Sequence, residues 1–247
     1  MKYLILSDIH GNLEALKAVR KHSLPYDRVI CLGDLVGYGA SPNEVIRKVR
    51  KMKPVGIVRG NHDKVCSGQD SGHNFNNNAY LSALWTQQNL DEKSRSYLQT
   101  IPMGPVQIDK LITICHGSPM DEDHYILYQF DAQLCFQCFD TVLCFFGHSH
   151  VPGLFVLDTR PNHFFYFIPR DSTEFQLDLN GYRRYLINPG SVGQPRDSDP
   201  RASFAHLDTD TGLLSFFKIE YSIREAADKI RSAGLPVFLA DRLFGGI

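Results

Sequence analysis

The 247-residue chain is 43% hydrophobic and 21% charged, an ordinary composition for a soluble globular protein with ample length for a buried core. Its 26 basic and 27 acidic residues leave a formal net charge of −1, which excludes a generally basic nucleic-acid binder working by bulk phosphate attraction. No apolar run approaches a membrane span, and Asp8 and His10 interrupt the apolar start too early for a signal-peptide core. Six cysteines are too few for a disulfide scaffold in a chain this long, so they read as reduced thiols of a cytoplasmic protein. Cys135 and Cys138 form a lone CxxC, read as buried structural thiols rather than half of a zinc site.

Taken in chain order, the first part alternates strand and helix patterns. Lys2–Ser7 is a buried strand, and Gly11–His22 carries Leu13, Leu16 and Val19 at helical spacing. Arg28–Leu32 is a strand, Pro42–Met52 a helix started by proline, and Val55–Val58 a third strand. Phe75–Leu90 and Asp91–Leu98 read as helices. In the second part, Val106–Cys115 reads as two strands broken near Asp109-Lys110, and Thr141–Phe146 as another. From Phe164 onward hairpins are expected. One turns at Asn180-Gly181 after the alternating Phe175, Leu177 and Leu179, and one joins Ala202–Leu207 to Leu213–Glu220. Ile223–Ile230 returns to helix. These patterns predict an α/β protein with two mixed sheets packed face to face and flanked by helices; no linker divides residues 1–247, so a single domain is expected. The basic cluster from Arg47 to Lys53 reads as a solvated helix face, not a nucleic-acid stripe.

The polar residues carry the functional signal. Five predicted strands each end in a metal-type donor: Asp8-Ile9-His10, Gly33-Asp34, Gly60-Asn61-His62-Asp63, His116-Gly117 and Gly147-His148-Ser149-His150. In an α/β sheet, groups beyond the strand C-termini converge in one crevice. Asp8, His10, Asp34, Asn61, His116, His148 and His150 are too many donors for one ion and suit two ions sharing a carboxylate. Their mixed nitrogen and oxygen chemistry fits Mn²⁺, Fe, Zn²⁺ or Co²⁺, with Mn²⁺ the first choice, rather than an all-oxygen Ca²⁺ cage. The Asp-x-His spacing would turn both side chains to one face if the strand continued. Two divalent ions against two carboxylates leave an electropositive pocket, suited to phosphate.

These blocks, in this order, resemble the signature of the calcineurin-like metallophosphoesterases over nearly the whole chain. Gly33–Gly39, Trp85-Thr86 and Asn188–Arg196 are similar to a prokaryotic branch of phosphoesterases related to diadenosine tetraphosphatases. The resemblance implies a four-layer αββα sandwich and a small phosphoester or nucleotide substrate. It implies that Asp8, His10, Asp34 and His150 hold one metal, and that Asp34 bridges to a second held by Asn61, His116 and His148. A hydroxide between the metals would be the nucleophile, and His62 would contact the phosphoryl oxygen or protonate the leaving group. Protein Ser/Thr phosphatases of this superfamily resemble Gly-Asp-x-Val-Asp-Arg-Gly, whereas this chain has Gly37 and Tyr38 in place of the Asp-Arg pair. Tyr38 cannot grip a phosphomonoester dianion as arginine does, but could pack on a base or sugar, which points to a phosphodiester or nucleotide. Arg196 is the candidate replacement phosphate contact. The alternatives are a phosphomonoesterase, including a protein phosphatase, and a non-catalytic scaffold similar to the retromer subunit that lost the motif histidine. The segment Ser118–Asp140 reads equally as a cover for the site or as a packing element.

Overall fold

The computed structural model describes residues 1–160 and 163–247. Its strands are β1 (Lys2–Leu6), β2 (Arg28–Cys31), β3 (Gly56–Ile57), β4 (Val106–Gln107), β5 (Ile112–Ile114), β6 (Leu143–Phe145), β7 (Gly153–Asp158), β8 (His163–Phe167), β9 (Thr173–Gln176), β10 (Arg183–Asn188), β11 (Ala202–Asp208) and β12 (Leu213–Ile219). The helices are α1 (Leu13–His22), α2 (Pro42–Met52), α3 (Asn61–Cys66), α4 (Asn77–Asn89), α5 (Glu92–Thr100), α6 (Gln129–Cys135), α7 (Ile223–Ser232) and α8 (Val237–Gly245).

Strict alternation along the central strands builds the layers. In β1, Tyr3 and Ile5 face the space between the sheets, while Leu4 and Leu6 face the helices. In β10, Tyr185 and Ile187 point to the same inter-sheet core and Leu186 points away. Period-2 burial on both faces requires cover on both, and the sheets supply it for each other. The first sheet has the order β3-β2-β1-β11-β12-β9 and the second β4-β5-β6-β10-β7-β8, both mixed. Leu13, Leu16, Val45, Val49 and Leu98 from α1, α2 and α5 cover the first sheet, and Ala132 and Cys135 of α6 pack on the second. This is the expected four-layer arrangement. Pairing of β1 with β11 ties the start of the chain to its last third.

The Asn180-Gly181 hairpin is not formed. β9 pairs with β12 in the first sheet, whereas β10 lies between β6 and β7 in the second. The turn therefore carries the chain from one sheet to the other. Its polar groups are satisfied without a ladder: the Asn180 N–H donates to Asp178 Oδ1 (3.0 Å) and the Asp178 N–H to Tyr185 Oη (2.7 Å). Helix boundaries also shift. Asn12 and Asp91 are caps outside α1 and α5, accepting the N–H groups of Ala15 and Ser94. Three helices go beyond the sequence expectation: α3 and α6, too short for a period to register, and α8. All six cysteines are free, but Cys138 is exposed, so only Cys135 of that pair is a buried structural thiol. Arg47 of the basic cluster pairs with Glu44 and Asp91 on the surface. No helix among the described residues is long and apolar enough to cross a membrane.

Candidate metal centre

Parallel pairing of β1, β2 and β3 in one sheet, and of β5 and β6 in the other, aims five strand ends at one edge of the sandwich. Backbone hydrogen bonds stitch the loops beyond them: Asp8 N–H to Gly33 O (3.1 Å), His10 N–H to Asp34 O (2.9 Å) and Gly147 N–H to His116 O (2.8 Å). The expected residues meet there. Asp8, His10, Asp34 and His150 offer donor atoms within 4.8 Å of one another, and so do Asp34, His116 and His148. Asp34 belongs to both groups. Its Oδ2 lies 3.5 Å from His10 Nε2 and 3.4 Å from His116 Nε2. Asn61 Oδ1 joins the second group, 3.3 Å from His116 Nε2.

The convergence does not come from strand alternation. Asp8, His10, Asp34, His148 and His150 all have positive φ, between 48° and 64°. Non-glycine residues enter this region at a cost, and here the fixed loops over-determine it. The named residues therefore converge, but not through the strand alternation that the spacing suggested. Gly37 (φ 85°) is required for a second reason: a Cβ there would lie 2.3 Å from His62 Nδ1.

The histidine tautomers follow from their outer partners, because a carbonyl can only accept. Nδ1–H donates to Val36 O in His10 (3.0 Å), to Leu32 O in His116 (2.7 Å) and to Gln194 O in His150 (2.6 Å). His10 and His150 are left with a bare Nε2 facing inward, whereas His116 Nε2 carries a proton held by the Asp34 carboxylate at 3.4 Å. His148 is reversed: its Nε2–H donates to Asp123 O (3.1 Å), so Nδ1 is the nitrogen free to bind. His10 Nε2 and His150 Nε2 lie 3.1 Å apart, two lone pairs aimed at each other. A cation between them resolves that opposition, so the donor set fits transition-metal ions.

Burial pushes the Asp34 carboxyl up, but the imidazoles of His116, His62 and His10 outweigh it and hold it well below the usual carboxylate range. Burial likewise raises Asp8, and His150 outweighs it, so Asp8 stays ionised. Burial lowers His10 and His148, the latter to about 3. His116 is the exception: burial pulls it down, yet the Asp34 carboxylate lifts it to about 10.

The remaining expected residues sit around a cavity of about 240 Å³ above this floor. His62 heads α3, is buried, and its backbone N–H donates to Asp34 Oδ1 (2.9 Å). Its Nδ1 has no partner, and burial pulls its pKa down to about 4, so its ring is neutral. Tyr38 does not offer a free face to a base. It is 7% exposed, its ring lies 4.7 Å from that of His10 and 4.4 Å from that of His62, and its hydroxyl reaches Arg196 (3.5 Å). Arg196 lines the cavity with Tyr38 and Gln194 as partners, neither of them an acid. The other aromatic side chains lining the cavity are Tyr125, which is exposed, and Phe75, which is half-buried against His62. Segment 118–140 therefore does both things envisaged for it: Asp123 and Tyr125 wall the site, while Ile126, Cys135 and Phe136 fill the outer core.

Asp63 and residues of the Asn188–Arg196 block support the site. The buried Asp63 accepts N–H groups from Leu35 (2.9 Å), Val36 (3.3 Å) and Gly60 (3.1 Å), locking the Asp34 loop to the Asn61 loop. Asn188 donates to Gly147 O (2.8 Å) and Ser191 to Asp8 O (2.8 Å) from the loop that also supplies Gln194. For Asn188 and Ser191 the sequence offers no signal beyond their place in the Asn188–Arg196 block.

Residues 1–212 match the family model of the calcineurin-like phosphoesterase superfamily domain. The chain is 34% identical to an uncharacterised protein of Methanocaldococcus jannaschii, covering 98% of this chain and 97% of that protein. It is similar to the crystal structure of a metallophosphoesterase from Sphaerobacter thermophilus, at 40% identity and a TM-score of 0.89 with both chains covered in full. A hypothetical protein of Pyrococcus horikoshii shares the fold at 21% identity and a TM-score of 0.77, over 100% of this chain and 98% of that one.

Proposed function

Because this chain belongs to the calcineurin-like phosphoesterase superfamily, we propose that it hydrolyses a phosphodiester or a nucleotide, dinucleoside polyphosphates included, with two divalent transition-metal ions. The observation that carries this reading is the pair of donor groups sharing Asp34 beneath an open cavity. Asp8, His10 and His150 would hold one ion, Asn61, His116 and His148 the other, and Asp34 both. When bound, such ions, Mn²⁺ being the first to try, neutralise phosphoryl charge and lower the pKa of water.

The protein's own groups would do the rest. His62, neutral and fixed by its neighbours, would donate a hydrogen bond to a phosphoryl oxygen. Arg196 would take a second anionic oxygen of the substrate. Phe75 and Tyr125, not Tyr38, would offer the faces for a base or a sugar. Six free cysteines support a reducing, cytoplasmic setting, and the interleaving of early and late strands in the first sheet supports a single domain.

Initial rates of the Mn²⁺-loaded protein on bis-p-nitrophenyl phosphate, p-nitrophenyl phosphate, diadenosine tetraphosphate and a phosphoserine peptide test the substrate class. The diester or the dinucleotide should lead by roughly tenfold or more, about 1.4 kcal/mol of transition-state binding. A lead for the monoester or the phosphopeptide would assign Arg196 the role of the missing phosphatase arginine and overturn the diester reading.

Ion uptake must also displace the proton on His116. Its folded pKa of about 10 lies above the unfolded value of about 6.5, so its contribution to stability is complete below pH ~6.5 and is lost as pH rises through 10. With chelator present, the melting temperature should fall between those limits. Apparent Mn²⁺ affinity should rise over the same range, and binding at pH 8 should release about one proton from this group. Calorimetry in buffers of different ionisation enthalpy measures that proton; its absence would remove His116 from the ligand set.

A further inference from the structure

One loop packs against the segments that carry Asn61, His116 and His148, the donors that belong to the second group alone. Glu122, only 11% exposed, receives a forked pair of bonds from Arg59, Nε at 3.0 Å and Nη2 at 2.9 Å, and a third from Lys64 Nζ at 3.1 Å. Lys64 also bonds Asp123 Oδ2 at 2.8 Å. Arg59 and Lys64 flank Asn61 in the chain, so Glu122 clamps the segment that presents that amide. The same loop folds back on Gly117, beside His116: a Cβ on Gly117 would lie 2.6 Å from Glu122 O and 2.8 Å from His124 O. Asp123 O accepts the His148 Nε2–H at 3.1 Å, and the Tyr125 ring stacks on His148 with centroids 3.7 Å apart. The outer partners of His10 and His150 are Val36 O and Gln194 O, from other loops.

Resting on the two-ion reading above, we propose that Glu122 is a positioning residue for the second cation site alone, a latch that holds Asn61, His116 and His148 in binding register. Two physical terms act together. Outer hydrogen bonds fix the orientation of metal-binding imidazoles, and their loss costs about 10- to 100-fold in affinity. Removing the carboxylate also takes from Arg59 its ion-pair partner, and leaves Lys64 with Asp123 and Asp70, beside a site that must take a cation. Glu122 lies 63 residues from Arg59 and 58 from Lys64, and the three carry no motif of their own.

The test is Mn²⁺ titration of the full chain by calorimetry, with electron paramagnetic resonance to distinguish coupled from isolated Mn²⁺. Wild-type protein should take up two ions and show a coupled signal. Glu122→Ala should bind one ion at wild-type affinity and the second about 10- to 100-fold more weakly, with an isolated-ion signal at intermediate loading. Glu122→Gln, which keeps the shape and part of the hydrogen bonding, should shift the second site by less and secures the test if the alanine variant does not fold. Equal weakening of both sites, the mark of general loosening, overturns the proposal, as does a variant with both affinities unchanged. Wild-type uptake of fewer than two ions overturns the two-ion reading itself and the latch with it.

Discussion

Asp34→Asn should empty both cation sites at once and lower turnover on the order of a thousandfold or more. Asn is nearly the same size, so the change removes charge and one anionic oxygen without opening a hole. Asp34 Oδ2 stands 3.5 Å from His10 Nε2 and 3.4 Å from His116 Nε2, at the junction of the two donor groups. Its Oδ1 meanwhile accepts the His62 N–H at 2.9 Å, so one carboxylate organises both sites and the residue above them. Loss of several kcal/mol of charge stabilisation at the reacting phosphorus corresponds to the stated rate loss. The variant should carry a second mark. The Asp34 charge is what lifts His116 against burial, so in Asp34→Asn the His116 pKa should fall, moving its charge change toward or below neutrality. Metal content by elemental analysis, turnover on the best substrate of the panel, and an NMR titration of the His116 ring read these outcomes. Two ions retained with more than about a tenth of wild-type turnover would show that the cations bind elsewhere.

The donors were legible in the sequence because each follows an apolar strand, and parallel strands from a common edge must deliver their ends together. The layered fold was legible for the same reason: β1, β2, β6 and β10 are buried on both faces, and such strands demand two covers. What escaped was set by contacts between distant segments. Asn180-Gly181 has a strong hairpin composition, yet Tyr185 Oη and Asp178 satisfy the turn and β9 pairs with β12 instead. The left-handed backbone at five of the proposed ligands has no local signal, since Asp and His at φ near 50–60° are stable only inside the finished lattice of loops. The chemistry of Tyr38 alone suggests a platform for a base. Its φ is 58°, its ring packs against those of His10 and His62, and Arg196 covers it from the cavity side, over the ring at 5.9 Å and at the hydroxyl. Glu122 with Arg59 and Lys64 draws on ordinary surface residue types, whose burial no periodicity announces.

His62→Ala should reduce kcat about 10²- to 10³-fold while both cations stay bound. The imidazole contributes no atom to either donor group, so metal content is expected to hold. What it contributes is a neutral donor at the cavity wall. Its pKa is drawn down to about 4 by burial, with Arg196 adding to the effect, and no side chain stands at Gly37 to offer Nδ1 a carboxylate that would raise it. Above pH 4 the ring therefore carries a single N–H, and its role is to hold a phosphoryl oxygen through the transition state rather than to arrive as a charged acid. Two observations follow. The pH–rate profile should show no break near 6.5 attributable to His62, and the loss in His62→Ala should be nearly constant from pH 6 to pH 8. A loss confined to the acid side of that range would instead identify a protonated His62 as the proton donor to the leaving group. Intact metal content with unaltered, negligible turnover in both wild type and variant would point to the scaffold alternative, in which the site binds a partner and His62 has no reaction to assist.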